Sequence, residues 1–290
     1  MIAGVAMWWE WNCKIVCDQY LCYIYSVMMH TKVADFVFLN GKIIHTSRAK
    51  ISPLDSGFLY SMGVYEVWKA SQGKIQLFEE NFEELQVGLK IMKIPFSLRA
   101  NKLVEIFTKL LKKNKLSEAR VRLTVTRENI FVEVSSLPKD HGSITAFTTL
   151  RERSNPAVKS VAWLSTALNL SSGNWWEKAE AILINSKKEI TEGSQSNFFL
   201  VKNGALITPP EKFIHSGGTR KWVLHVAKKL KITARTRKIK LREAFQADEI
   251  FVTGSVRGIR AVVSLDGKKI GNGKIGATTK IFRKEFTHVN

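Results

Sequence analysis

Residues 189–210 read EITEGSQSNFFLVKNGALITPP. Phe198 to Val201 form an apolar run that ends at Asn203-Gly204, the dipeptide most suited to a two-residue hairpin turn. Ala205 to Thr208 read as the returning strand, and Pro209-Pro210 stop it. Just before the hairpin stands one carboxylate, Glu192, followed by Gly193 and two small hydroxylated residues, Ser194 and Ser196. A carboxylate at the mouth of a buried hairpin needs a partner.

Strand signals continue on both sides of this hairpin. Ile144 to Thr149, Ala181 to Ile184, Glu249 to Thr253 and Ala261 to Leu265 are short apolar runs bounded by turn residues. Ser216-Gly217-Gly218-Thr219 leads into a helix with Val223, Val226, Ala227 and Leu230 on its inner face. Pro138-Lys139-Asp140-His141-Gly142 is the best linker. Upstream, Phe36 to Leu39 and Lys42 to Ile44 flank Asn40-Gly41, and Gly63 to Trp68 and Lys74 to Phe78 flank Ser71-Gln72-Gly73. Phe82, Leu85, Leu89 and Met92 then fall at helical spacing, as do Leu103, Ile106, Phe107, Leu110 and Leu111. Ala119 to Thr126 and Ile130 to Val134 read as paired strands. The pattern is α+β, with a smaller N-terminal domain over 34–138 and a larger, β-rich C-terminal domain over 139–290.

A hydrophobic content of 45% with 24% charged residues describes a soluble globular protein. The net charge of +20 raises nucleic acid, anionic membrane and phosphorylated small molecules as partners. The basic tract at 228–242 contains Ile232, Ile239 and Leu241 at packing positions, so it reads as a solvated face and no nucleic-acid partner is expected. Cys13, Cys17 and Cys22 all lie near the start, without paired spacing or a clear fourth ligand besides His30. No metal site is expected, and a body without cysteine fits the reducing cytoplasm. Residues 1–33 differ from the rest in their crowded tryptophans and tyrosines. Glu10, Lys14 and Asp18 break every apolar run short of the ~18 residues a spanning helix needs, so no membrane partner is expected. The expectation is an appended or misassigned start, with Met28 or Met29 as the first residue.

Three features carry chemistry. Ser216 to Thr219 would present free backbone N–H groups and a hydroxyl to a phosphate, although many helices open after Gly and Thr without binding one. Thr253-Gly254-Ser255 offers a second hydroxyl and glycine at the end of a strand. Lys159 precedes Ser160-Val161-Ala162-Trp163-Leu164, an apolar run expected to be buried, and a partly desolvated lysine can act as a nucleophile.

Together these pieces resemble the fold-type IV pyridoxal-phosphate enzymes, which include branched-chain and D-amino-acid aminotransferases and aminodeoxychorismate lyase. The resemblance runs from Asp35 to Phe286. It rests mainly on LDSGFLYSMGVYEV (54–67), the opening stretch, GGTR (217–220) and ADEIFVTGSVRGI (247–259), with RVRLTVTR (120–127), EAILIN (180–185) and DGKKIGNGKIG (266–276) as shorter matches. It implies a two-domain enzyme with pyridoxal 5'-phosphate between the domains, amino-acid and 2-oxo-acid substrates, a homodimer and a cytoplasmic location. Lys159 matches the lysine that holds the cofactor covalently and moves the Cα proton. Glu192 matches the glutamate facing the pyridine nitrogen. Gly218, Thr219 and Ser255 match the phosphate cup, and Tyr65 an aromatic residue beside the substrate.

The same resemblance exposes departures. Glu84 stands where the family carries a phosphate-clamping arginine, and Asn81 where histidine is common. Ser56, Ser61-Met62, Ala162 and Gly218 also differ from the usual residues, and the segment between Arg127 and Lys159 is short. A carboxylate facing the phosphate would repel it by about 4 kcal/mol per charge pair at ~4 Å. The expected activity is amino transfer, most naturally on a branched-chain amino acid; a lyase of the aminodeoxychorismate type and a non-catalytic relative with weakened cofactor binding are the alternatives.

Overall fold

The computed structural model describes residues 34–138, 140–162, 179–287 and 289. The three cysteines, the 1–33 segment and Trp163-Leu164 lie outside them.

The first sheet contains β1 (Phe36–Leu39), β2 (Lys42–His45), β3 (Gly63–Ser71), β4 (Lys74–Ile75), β5 (Ala119–Thr126) and β6 (Ile130–Ser135). These strands run in the order β2-β1-β6-β5-β3-β4, every pair antiparallel. Asn40 and Gly41 both take positive φ, 47° and 93°, as the tight turn between β1 and β2 requires. Strand alternation splits the sheet. Val121, Leu123 and Val125 face a core formed with α2 (Phe78–Met92) and α3 (Ala100–Lys113), while Arg120 and Arg122 face the other way. A short helix, α1 (Ser56–Tyr60), is capped by Asp55, which accepts the Phe58 N–H at 2.9 Å.

One boundary differs from expectation. Only Lys74 and Ile75 pair as a strand; Leu77 turns left-handed at φ 48° and α2 begins at Phe78. Phe78 belongs to the apolar stripe with Phe82, Leu85 and Leu89, and its ring stacks 5.8 Å from Trp68. Burial against Trp68 and Phe107 therefore draws this residue into the helix.

The second sheet contains β7 (Ser143–Leu150), β8 (Ala179–Ile184), β9 (Glu189–Gly193), β10 (Asn197–Lys202), β11 (Ala205–Thr208), β12 (Ala234–Thr236), β13 (Ile239–Lys240), β14 (Glu249–Gly254), β15 (Gly258–Leu265) and β16 (Lys268–Lys269). The order is β12-β11-β10-β14-β15-β7-β8-β9-β13, with β16 pairing β15. Strand β10 is apolar on both faces because both are covered. Phe198 and Leu200 join one core; Phe199 and Val201 join another, with Val223 and Ala227 of α4 (Gly218–Lys229) and Phe282 of α6 (Ala277–Phe286). The remaining short helix, α5 (Leu241–Phe245), lies on the first of these cores, which also buries Ile239 from the basic tract.

Arg220 ties the hairpin to α4. Fully buried, it donates to Thr208 Oγ1 at 3.3 Å, the Pro209 carbonyl at 3.0 Å and Glu211 Oε1 at 3.0 Å. Residues 159–161 lie antiparallel along β3, with Val64 opposite Ser160. Tyr65 N–H donates to the Lys159 carbonyl at 2.9 Å, and Val161 N–H to the Gly63 carbonyl at 3.0 Å.

Candidate active site

Between the sheets lies a cavity of about 520 Å³. Its first wall is the face of the six-stranded sheet opposite the core: Tyr65 and Val67 from β3, Arg120 and Arg122 from β5, Glu133 and Ser135 from β6. Its second wall comes from Glu192 at the end of β9, the Ser194–Ser196 loop, the end of β14 with the following turn, and the start of α4. Lys159, Glu192, Thr219, Ser255 and Tyr65 all line it.

Lys159 Nζ pairs with Glu66 Oε1 at 2.5 Å. Glu66 stands on the core side of β3 and is 1% exposed. Burial pushes its carboxyl above the usual range against the pull of the Lys159 ammonium. The expected apolar burial after Lys159 is not observed where it is described: Val161 is half-buried and Ala162 exposed. Lys159 is placed instead by the backbone bonds to β3 and by the ion pair to Glu66.

Glu192 has partners within the chain. Oε1 accepts from Arg153 Nε at 2.6 Å, and Oε2 from the His215 backbone N–H at 3.0 Å. Burial pushes the Glu192 carboxyl up, opposed by Arg153 and the His215 amide. Burial lowers the Arg153 guanidinium, but Glu192, Tyr65 and Glu180 together outweigh it and hold it above its ordinary value. Arg153 also donates to the Ser194 carbonyl at 2.6 Å. A carboxylate has about four acceptor positions, so Glu192 can still receive a further N–H. The His215 ring places Nδ1 3.1 Å from the Pro156 carbonyl, which assigns the ring proton to Nδ1 and leaves Nε2 a buried acceptor without a hydrogen-bond partner among the described residues.

At the start of α4 the geometry suits an anion. Gly217 caps the helix without a side-chain bond, so the first turn keeps its N–H groups unpaired within the helix. Thr219 Oγ1, Thr253 Oγ1 and Ser196 Oγ are buried without hydrogen-bond partners among the described residues, and all three residues line the cavity. Buried hydroxyls are normally bonded, so three unsatisfied ones beside a helix N-terminus fit a phosphate-bearing group. Gly218 does not line the cavity; a Cβ there would strike Asn81 Oδ1. Asn81 is a strut: Nδ2 donates to the Val67 carbonyl at 3.1 Å and to Ser255 Oγ at 3.1 Å.

Glu84 does not line the cavity either. It is buried, and Oε1 pairs with Lys221 Nζ of α4 at 2.7 Å. Burial lowers the Lys221 ammonium, but Glu84 and Glu83 outweigh it and raise it above its ordinary value. Glu84 thus forms an ion pair between α2 and α4.

Sequence reading overlooked Glu66, Arg153 and His215. Glu66 had a signal: in the alternation Val64, Glu66, Trp68, Ala70 it is the one acid on a core face. Arg153 had none, lying in an irregular segment without periodicity.

Comparison with known proteins bears on this arrangement. The family model for amino-transferase class IV matches residues 63–265. A protein of Methanocaldococcus jannaschii named "Putative branched-chain-amino-acid aminotransferase" is 32% identical over 275 residues, covering 87% of this chain and 96% of that protein. The D-alanine aminotransferase of Staphylococcus haemolyticus is 27% identical, covering 86% of this chain and 96% of its own. The branched-chain amino acid aminotransferase of Escherichia coli superposes with a TM-score of 0.81 at 24% identity, covering 88% of this chain and 94% of that one. That likeness is one of fold.

Proposed function

The chain belongs to the class IV aminotransferase family, and we propose accordingly that it binds pyridoxal 5'-phosphate and moves an amino group between an amino acid, branched-chain in the first instance, and a 2-oxo acid. The observation that carries this reading is one cavity lined by Lys159, Glu192 and the unsatisfied hydroxyls of Thr219, Thr253 and Ser196.

When bound, pyridoxal 5'-phosphate supplies an aldehyde for amines and a ring that accepts an electron pair from Cα. In this reading the chain's own residues do the rest. The Lys159 amine is the covalent anchor and carries the Cα proton as base and then acid. Glu66 orients it from behind and keeps a countercharge within reach. Glu192, fixed by Arg153 and the His215 amide, offers its remaining lone pairs to the ring nitrogen. Thr219, Ser255 and the α4 amides hold the phosphate, with Gly218 contributing backbone only. Tyr65, on the opposite wall with Arg122 4.0 Å from its ring, borders the substrate.

Three coarser expectations belong to the same proposal. The domains divide at 138/139, between the last strand of the first sheet and the first strand of the second. The protein works in the cytoplasm; among the described residues no helix is long and apolar enough to cross a membrane. It forms a homodimer, supported by the exposed apolar side chains between Ile51 and Met62, next to β3 and the cavity wall.

The test is spectroscopic and chemical. Adding pyridoxal 5'-phosphate to the purified protein gives a visible absorbance band, and Lys159→Ala abolishes it. The loaded protein then moves the amino group of leucine to a 2-oxo acid. An absent band at saturating cofactor would falsify the proposal. Pyruvate released from aminodeoxychorismate without an amino acceptor would instead indicate the lyase.

A further inference from the structure

Asn81, near the start of α2, is fully buried and does not itself line the cavity. Its amide nitrogen carries two hydrogens and meets two acceptors. One is the Val67 carbonyl on β3 at 3.1 Å; the other is Ser255 Oγ, in the turn after β14, also at 3.1 Å. A carbonyl can only accept, so Val67 fixes which end of the Asn81 amide is the nitrogen. An imidazole nitrogen, with a single hydrogen, could not serve both acceptors.

The consequence falls on Ser255. Its oxygen accepts from Asn81, so its own hydrogen is left for another acceptor. Among the described residues that hydrogen can reach Asn81 Oδ1, but at 3.4 Å, where little of the bond remains. Unlike Asn81, Ser255 is half-buried and lines the cavity, together with Thr219 at the start of α4. The first turn of α4 lies against the same amide, since a Cβ on Gly218 would strike Asn81 Oδ1. A phosphate oxygen at this helix start is a charged acceptor and competes well against a distant amide oxygen.

We propose that Asn81 is a positioning residue for the cofactor's phosphate: by donating to Ser255 Oγ it turns the hydroxyl hydrogen toward the cavity and makes Ser255 a donor to that phosphate. This rests on the aminotransferase reading and deepens it. No covalent bond is made or broken in this step.

The test compares pyridoxal 5'-phosphate with pyridoxal, which lacks only the phosphate, by titrating each into the full chain and following the visible band. Binding of inorganic phosphate to the cofactor-free chain is measured in parallel by calorimetry. Asn81→Leu, similar in size but without donors, weakens pyridoxal 5'-phosphate by about tenfold and pyridoxal by about twofold at most. Asn81→Asp, which would take the Ser255 hydrogen for itself, lowers the preference for the phosphorylated compound by about a hundredfold. Ser255→Ala acts like Asn81→Leu, and the two together cost little more than either alone. Inorganic phosphate follows the phosphorylated compound in each variant.

A purely structural Asn81 would weaken both compounds alike. Equal losses, or an Asn81→Leu effect that persists in the Ser255→Ala background, overturn the proposal. Circular dichroism checks the fold; where an Asn81 variant does not fold, Ser255→Ala decides, and an unchanged preference there overturns the proposal. A chain that gives no band with either compound sinks the aminotransferase reading. The inorganic-phosphate arm then still decides on Asn81, and absence of phosphate binding overturns the proposal as well.

Discussion

His215 is a neutral imidazole surrounded by charge. Burial, then the Lys159 ammonium and the Arg153 guanidinium, hold it well below its ordinary value of 6.5, and Lys221 of α4 acts in the same direction. Glu84 Oε2, 3.9 Å from Nε2, does not reverse this. In the unfolded chain the same ring takes a proton near that ordinary value, so below it the unfolded state binds more protons. Stability contributed by the neutral ring is therefore complete above pH 6.5 and is lost as pH falls from 6.5 toward the folded value. The unfolding free energy of the native protein should fall relative to that of His215→Leu by up to about 1.4 kcal/mol per pH unit in that window. Glu66 and Glu192, whose carboxyls are raised, act with the opposite sign but remain in both proteins, so they largely cancel in the comparison. Parallel stability curves, followed by urea titration at several pH values, would show that His215 does not titrate this way. At this scale legibility depended on contrast. Glu192 stood out as a lone acid before a two-sided apolar hairpin, whereas Arg153 sat in an irregular segment without periodicity. Lys159 was singled out by the apolar run after it and then by resemblance to a family, and the first of these signals is weak, since that run is only half-buried or exposed where described.

Helices α2 and α4 are joined through Glu84 and Lys221. Removing the lysine leaves Glu84 buried without its cation, a change that costs 3–5 kcal/mol in fully buried pairs; with Lys221 34% exposed, about 2–3 kcal/mol is expected for Lys221→Met. Glu84→Arg sets two cations against each other and should cost a similar amount. The exchange Glu84→Arg with Lys221→Glu should recover most of it, giving a strongly non-additive cycle in urea unfolding. Additive losses would mean that the pair contributes nothing as a pair. Elements with distinctive local chemistry were the ones visible in sequence. Asn40-Gly41 and Asn203-Gly204 announced their turns because both positions of each need positive φ. The start of α2 was misplaced because Lys74 to Phe78 alternates like a strand, and the preference of Phe78 for the Trp68 pocket is a tertiary effect. Strands β13 and β16, two residues each, are too short for any period to register.

At the scale of the molecule, one stretch contradicts the rule that large apolar groups are covered. Leu54, Phe58 and Tyr60 are 76%, 69% and 71% exposed, within seven residues and beside Ile51 and Met62. A stable interface needs about 800 Å² per partner, and a ring of aromatic and aliphatic side chains leading into β3 is suited to its centre. Leu54→Asp with Phe58→Asp should convert a dimer to a monomer in light scattering without unfolding it, since neither side chain belongs to a core cluster. A native protein that is already monomeric would sink the dimer proposal. The backbone pairing of residues 159–161 with β3 has a consequence of another kind. The amides of Tyr65 and Val161 are held by the carbonyls of Lys159 and Gly63. Their exchange with heavy water is therefore a clock for the lifting of this segment from β3, and it runs with no ligand, substrate or turnover at all. Lys159 and Glu66 come from opposite sides of that pairing, so the same opening also frees the Lys159 amine to move away from its countercharge.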